Sequence, residues 1–132
     1  MSIQAKRRLR FAAEDLKLGF VESQFAEIIW HNEPLSSREL VQLCEEKLQW
    51  KKSTTYTVLK KLCERGVFQN KDSVVSSLIS KAEFFSMQSE KFVEESFGGS
   101  LPAFIAAFTA RKSLSTEEVA EIHRMIEFAK EE

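Results

Sequence analysis

A mainly α chain carrying one small β-hairpin is the fold class that this sequence predicts, and three observations predict it. Apolar residues recur at three- and four-residue spacing through most of the chain, and the period changes to short extended runs only after Gly66. With Gly 4 and Pro 2 in 132 residues, there is little from which to build long loops. The pieces come in the order helix, turn, helix, hairpin, which is that of a winged helix-turn-helix head, and further apolar helices follow it. The length suits a small head with an appended association module.

Residues 1–17 read as a basic N-terminal extension, in which Lys6, Arg7, Arg8, Arg10 and Lys17 stand against Glu14 and Asp15. Leu9, Ala12, Ala13 and Leu16 at helical spacing predict a short helix there. The head spans residues 18–79. Gly19 and Glu22 open a helix over residues 20–31 whose stripe is Val21, Phe25, Ile28 and Ile29, with Trp30 covering its end. Pro34 forces its predecessor out of the α region, so the helix breaks at Asn32 and Glu33, and Leu35 is placed to make one or two ladder bonds. Ser36 with Glu39 forms a capping box for a second helix ending near Leu48, with Leu40, Val41, Leu43 and Cys44 inward. A third helix runs from about Lys51 to Arg65 and stops at Gly66. The runs 67–70 and 74–79, around Asn70, Lys71, Asp72 and Ser73, predict the hairpin.

Residues 80–132 read as a helical dimerisation module. Ser80 with Glu83 caps its first helix, Phe97, Gly98 and Gly99 stop it, and Ser100 starts a short apolar helix that tolerates Pro102 in its first turn. Ser115 with Glu118 opens the last helix, where Val119, Ile122, Ile126 and Ala129 make a seam. Three short helices whose apolar set includes Phe84, Phe85, Phe92, Phe97, Phe104, Ile105 and Phe108 have too few partners to enclose a core, so a second copy of the chain is the expected cover. A two-fold dimer carries two copies of the third helix and reads half-sites about 10 bp apart, or a multiple of that.

The third helix carries the functional signal. From Lys51 to Arg65 five cations oppose one anion, although the whole chain has a net charge of -1. At 100° per residue, Thr55, Val58, Leu59 and Leu62 turn to one side and Ser53, Thr57 and Lys60 to the other. Hydroxyls bond phosphates or base edges and cations neutralise phosphates, so Lys51, Lys52, Ser53, Thr54, Thr57, Lys60 and Lys61 are the candidate contacts to double-stranded DNA. Thr55 belongs to the core side, and Tyr56 is open between stacking on a sugar-phosphate and flanking the core. The competing reading of the same stretch is a solvated lysine face on a winged helix that serves as a protein-interaction module and binds no DNA.

Other classes find little support. Cys44 and Cys63 lack CxxC spacing and suit buried apolar positions in a reducing cytoplasm. His31 and His123 have no companion ligands, so neither a metal nor a cofactor is implied. No catalytic Ser/His/Asp, Cys/His or paired-carboxylate set appears, nor a glycine-rich phosphate loop. The longest nearly apolar run, residues 101–108, is too short to enter a bilayer as a span, and a cytoplasmic protein without membrane insertion is expected.

The order of these motifs resembles the penicillinase repressor family of bacterial transcription factors, the BlaI/MecI type with copper repressors of the CopY type as relatives. The resemblance covers residues 18 to about 126. It rests on Ile29-Trp30, on Pro34-Leu35-Ser36 with Arg38-Glu39-Leu40, and on Trp50 followed by Ser53-Thr54-Thr55, Thr57, Leu59, Leu62 and Gly66. Phe97-Gly98-Gly99-Ser100 and Leu114-Ser115 with Glu117-Glu118 form a second anchor. It implies a homodimeric, non-enzymatic repressor of resistance or metal-handling genes, bound to an inverted-repeat operator. Three departures qualify it. The wing sequence Asp72-Ser73-Val74-Val75-Ser76-Ser77 is neutral to acidic where the family carries arginine and aromatics. No cysteine follows Cys63, which argues against the copper branch's sensing. The penicillinase branch is cut at an Asn-Phe bond by a membrane-bound sensor protease, and the matching pair here is Ala107-Phe108.

Overall fold

The computed structural model describes residues 16–130. The helix expected over residues 5–17 lies almost wholly outside them. Six α-helices and three short strands follow in the order α1 (Phe20–Asn32), β1 (Leu35–Ser36), α2 (Ser37–Leu48), α3 (Lys52–Glu64), β2 (Phe68–Lys71), β3 (Val74–Ser77), α4 (Lys81–Phe97), α5 (Leu101–Arg111) and α6 (Thr116–Ala129). The three strands form one antiparallel sheet in the order β1-β3-β2, with Leu35 opposite Val75 and Lys71 opposite Val74. Three helices, a three-stranded sheet and its hairpin make the winged-helix head.

Local chemistry accounts for the element ends. Ser36 Oγ accepts the Glu39 N–H at 3.0 Å, while the Glu39 carboxylate takes the Ser36 hydroxyl rather than its backbone N–H, so only one arm of the expected capping box forms. Ser80–Glu83 and Ser115–Glu118 form both arms. Helix α3 stops because Gly66 takes φ 82, a left-handed conformation that costs glycine nothing, and Val67 N–H then returns to the Leu62 carbonyl. The hairpin turn is tighter than the sequence indicated. Only Asp72 (φ 53) and Ser73 (φ 63) lie between the paired Lys71 and Val74, the two-residue positive-φ loop whose twist matches that of the strands.

One core lies under α1, α2, α3 and the sheet, with Phe25, Ile29, Leu40, Leu62, Phe68 and Val75 fully enclosed. Val21, expected in the α1 stripe, is instead exposed in the first turn, and Ala26 is buried further along. Trp30 sits between the head's elements. Its Nε1 donates to the Ile79 carbonyl at 3.2 Å, and its ring lies 5.4 Å from Phe68 and 5.6 Å from Phe84.

Helix α4 begins where the Ser80 cap places it, but Phe84 and Met87 are buried in the head core. The compact units divide between Lys91 and Phe92. Phe84 therefore belongs to the head and not to the apolar set of the appended helices; helical spacing shows which side of α4 is apolar, not what lies against it.

The second unit has a different character. Phe92, Phe97 and Phe104 contact one another at ring separations of 5.6–6.0 Å, and Phe108 reaches Phe104 at 6.2 Å. Yet no residue from Phe92 to Lys130 is buried. Phe97, Phe104 and Ile122 are half-buried, whereas Phe92, Phe108, Val119 and Ile126 remain between 43% and 53% exposed. Burying such side chains gains roughly 1.5–3 kcal/mol each, so this face forgoes much of its available stabilisation.

Candidate nucleic-acid interface

Helix α3 is held by its inner face. Leu59 and Leu62 are buried, and so is Thr55, as its place on the helix led one to expect. Trp50, just before the helix, stacks on Phe25 of α1 with ring centres 5.4 Å apart and planes 22° apart. That contact sets where α3 starts. Gln49 makes the preceding turn possible by taking φ 57, with its N–H on Glu45 and that of Trp50 on Cys44.

The outer face carries Lys52, Ser53, Thr54, Tyr56, Thr57, Lys60 and Lys61, all exposed, with Lys51 exposed immediately before them. A helix with its side chains is about 10–12 Å across, which the roughly 12 Å wide major groove of B-DNA admits. Helices α2, α4, α5 and α6 each start on a serine hydroxyl that takes a backbone N–H. Helix α3 starts on Lys51, with no side-chain cap. Its first N–H groups therefore point outward without a side-chain acceptor, at the end where the helix dipole attracts anions. Thr57 donates its hydroxyl proton to the Ser53 carbonyl at 2.9 Å, so it presents lone pairs and a methyl group outward.

The cations are not equivalent. Lys61 Nζ lies 3.3 Å and Arg65 Nη1 3.7 Å from Glu22 Oε2 on α1, and Arg65 Nη1 also donates to the Lys17 carbonyl at 3.0 Å. Burial alone raises the Glu22 pKa, but the Gly19 N–H and the Lys61 and Arg65 charges outweigh it and hold this carboxyl below its ordinary value. Oε2 is enclosed without a well-directed hydrogen bond, so charge proximity is what holds it. Lys51, Lys52 and Lys60 have no such partner among the described residues. Nothing in the sequence marked Glu22 as the partner of Lys61, because the pair joins two helices far apart in the chain.

The hairpin beside this face is anchored firmly and charged weakly. Glu33, at the end of α1, accepts the Ser77 N–H at 2.8 Å and the Ser77 hydroxyl at 2.7 and 2.9 Å. Ser37 N–H also donates to the Ser73 carbonyl at 2.9 Å, tying the turn to α2. Across residues 68–77 the only charges are Lys71 and Asp72. Glu33 was another residue that the sequence did not single out.

Among the described residues, no group of three or more His, Cys, Asp or Glu side chains could hold a metal ion. Burial pushes the thiols of Cys44 and Cys63 up, away from reactive thiolates. No helix among the described residues is long and apolar enough to cross a membrane. Ala107 and Phe108 are both exposed in the middle of α5.

The profile of the penicillinase repressor family matches residues 18–128, which takes in the sheet and the six described helices except Ala129, the last residue of α6. The chain belongs to the penicillinase repressor family. It is 21% identical over 110 residues to the penicillinase repressor of Bacillus licheniformis, covering 80% of this chain and 86% of that one. It is 20% identical over 114 residues to the methicillin resistance regulatory protein MecI of Staphylococcus aureus strain Mu50, covering 83% and 93%. The family is one of transcriptional regulators, and the match begins at the end of the basic extension.

Proposed function

We propose that this family member is a homodimeric transcriptional repressor that binds an inverted-repeat operator through the outer face of α3. The observation that carries the reading is that face itself: an uncapped helix start, exposed hydroxyls, and exposed Lys51, Lys52 and Lys60, which have no ion-pair partner among the described residues. Phosphate contacts release counterions, so affinity for a duplex containing the operator falls steeply with salt, with a slope of about −0.9 per contact. Binding to an inverted-repeat promoter fragment that equals binding to random duplex at every salt concentration sinks this reading and leaves the protein-interaction module in its place.

The second copy is supported by the exposed apolar face of residues 92–130. Sedimentation at micromolar concentration is expected to give a dimer, and a monomer refutes it. Release from the operator follows, in this proposal, from a membrane-bound sensor protease cutting at Ala107–Phe108. Both side chains are exposed but their backbone is helical, so α5 must open locally before a protease can seat it. Separated heads then lose the gain from effective concentration and bind as single half-sites. Mass spectrometry of the chain in cells treated with a cell-wall antibiotic tests this: a chain of unchanged length while the regulated genes are induced rules out cleavage.

A further inference from the structure

Helix α1 leaves one flank uncovered. Phe20, its first residue, is 80% exposed, and beside it lies a cleft of about 490 Å³ that follows α1 from Phe20 to His31, with Lys47 and Leu48 at the end of α2 along its side. At a helical rise of about 1.5 Å per residue this stretch runs roughly 16 Å. The volume falls within the roughly 300–1,000 Å³ of small-molecule sites, and the lining is mostly apolar. Ile28, 6% exposed, and the half-buried Leu48 supply apolar surface within it, and Phe20 adds a ring open to water. Every lining residue belongs to the head.

The charges in the lining are not balanced. Glu27 Oε1 is held by Lys81 Nζ at 2.8 Å, so its charge is already offset. Lys47 is exposed and has no ion-pair partner among the described residues. We propose that this cleft is a binding site for a small aromatic carboxylate, whose ring covers Phe20 and whose carboxylate meets Lys47 Nζ. A ring laid on Phe20 takes out of water the apolar surface that the head leaves exposed there. The carboxylate gives Lys47 the charge-assisted partner that it lacks. A cationic ligand finds the one lining carboxylate already taken, and a neutral ligand leaves Lys47 unused. The site stands apart from the DNA-binding reading of α3, although it adjoins that helix in the chain. Leu48 ends α2, and Gln49 at φ 57 and Trp50 on Phe25 lead from it into α3.

The test titrates phenylbutyrate, and its amide as the neutral isostere, into the full chain with labelled methyl groups, following the Ile28 and Leu48 resonances by NMR. Phe20→Ser and Lys47→Gln are compared with the unsubstituted chain; both side chains are exposed, and unchanged thermal midpoints check that the fold holds. The acid is expected to shift both resonances saturably. The amide should bind about two- to fivefold more weakly, which is what one exposed ion pair contributes, and Lys47→Gln should bring the acid down to the affinity of the amide. Phe20→Ser should weaken both ligands. Acid and amide that bind equally, with Lys47→Gln without effect, overturn the proposal. So does the absence of saturable shifts at Ile28 and Leu48 at millimolar ligand, and so do shifts confined to the exposed Ile105 and Ile126 of the second unit.

Discussion

Lys60 and Lys61 are adjacent cations in the charge count, and alanine at each is expected to do different things. Lys61 has Glu22 Oε2 at 3.3 Å, while its side chain keeps 55% of its surface exposed. Solvent screening limits a pair of that exposure to roughly 0.2–1 kcal/mol. Lys61→Ala should therefore lower unfolding free energy by about 0.5 kcal/mol and the thermal midpoint by roughly 2–4 °C. Lys60 has no ion-pair partner among the described residues, and alanine is at least as good a helix former, so Lys60→Ala should leave the midpoint unchanged. The pH dependence follows in sign. The Glu22 carboxyl is held below its ordinary 4.5, so its pairing stabilises the fold above that pH and is lost as pH falls through the lower folded value. The gap between wild type and Lys61→Ala should thus be present at pH 7 and close as pH falls through the lowered folded-state pKa of Glu22. On DNA the order reverses, because Lys61 is already partly neutralised: Lys60→Ala flattens the salt slope by about one, Lys61→Ala by less. Scanning calorimetry across pH and a double-mutant cycle of Glu22→Gln with Lys61→Ala measure this. A zero coupling energy together with equal salt slopes for the two alanines refutes the division of roles.

Three further outcomes follow from the same geometry. Ser73→Gly puts glycine at φ 63 in the two-residue turn, and urea denaturation should show a gain of about 0.5–1 kcal/mol. Phe84→Ala removes a fully buried ring beside Trp30 and should cost the head about 3–5 kcal/mol, read by tryptophan fluorescence on unfolding; a cost below about 1 kcal/mol would place Phe84 outside the head core. Ile122→Asp with Ile126→Asp sets two charges in the apolar face of α6, and sedimentation should show the dimer weakened by several kcal/mol if that face is the seam.

What was legible in the chain was what short-range chemistry determines. The serine caps at Ser36, Ser80, Ser100 and Ser115, the break at Pro34 and the stop at Gly66 each follow from residues within a turn of one another, and each stands where expected. The inner and outer faces of α3 followed from period alone, Thr55 included. Long-range facts were not legible. That Phe84 and Met87 close the head, that Glu22 draws in Lys61, and that Glu33 fastens Ser77 depend on which elements meet, and no local pattern encodes the meeting. The hairpin turn was blurred for another reason: Asp72 and Ser73 adopt positive φ without the glycine that usually signals it.

Selection of duplexes from a random-sequence library by the full chain tests the central claim most directly, since the protein itself picks out the operator sequence. The proposed dimer should enrich a two-fold symmetric motif whose half-site centres lie about 10 bp apart, or a multiple of it. Ser53→Ala, Thr54→Ala and Thr57→Ala combined should relax base preference within each half-site while leaving much of the non-specific affinity. A pool that shows no enriched motif after repeated rounds, from a protein shown to be folded and dimeric, would contradict operator binding through α3.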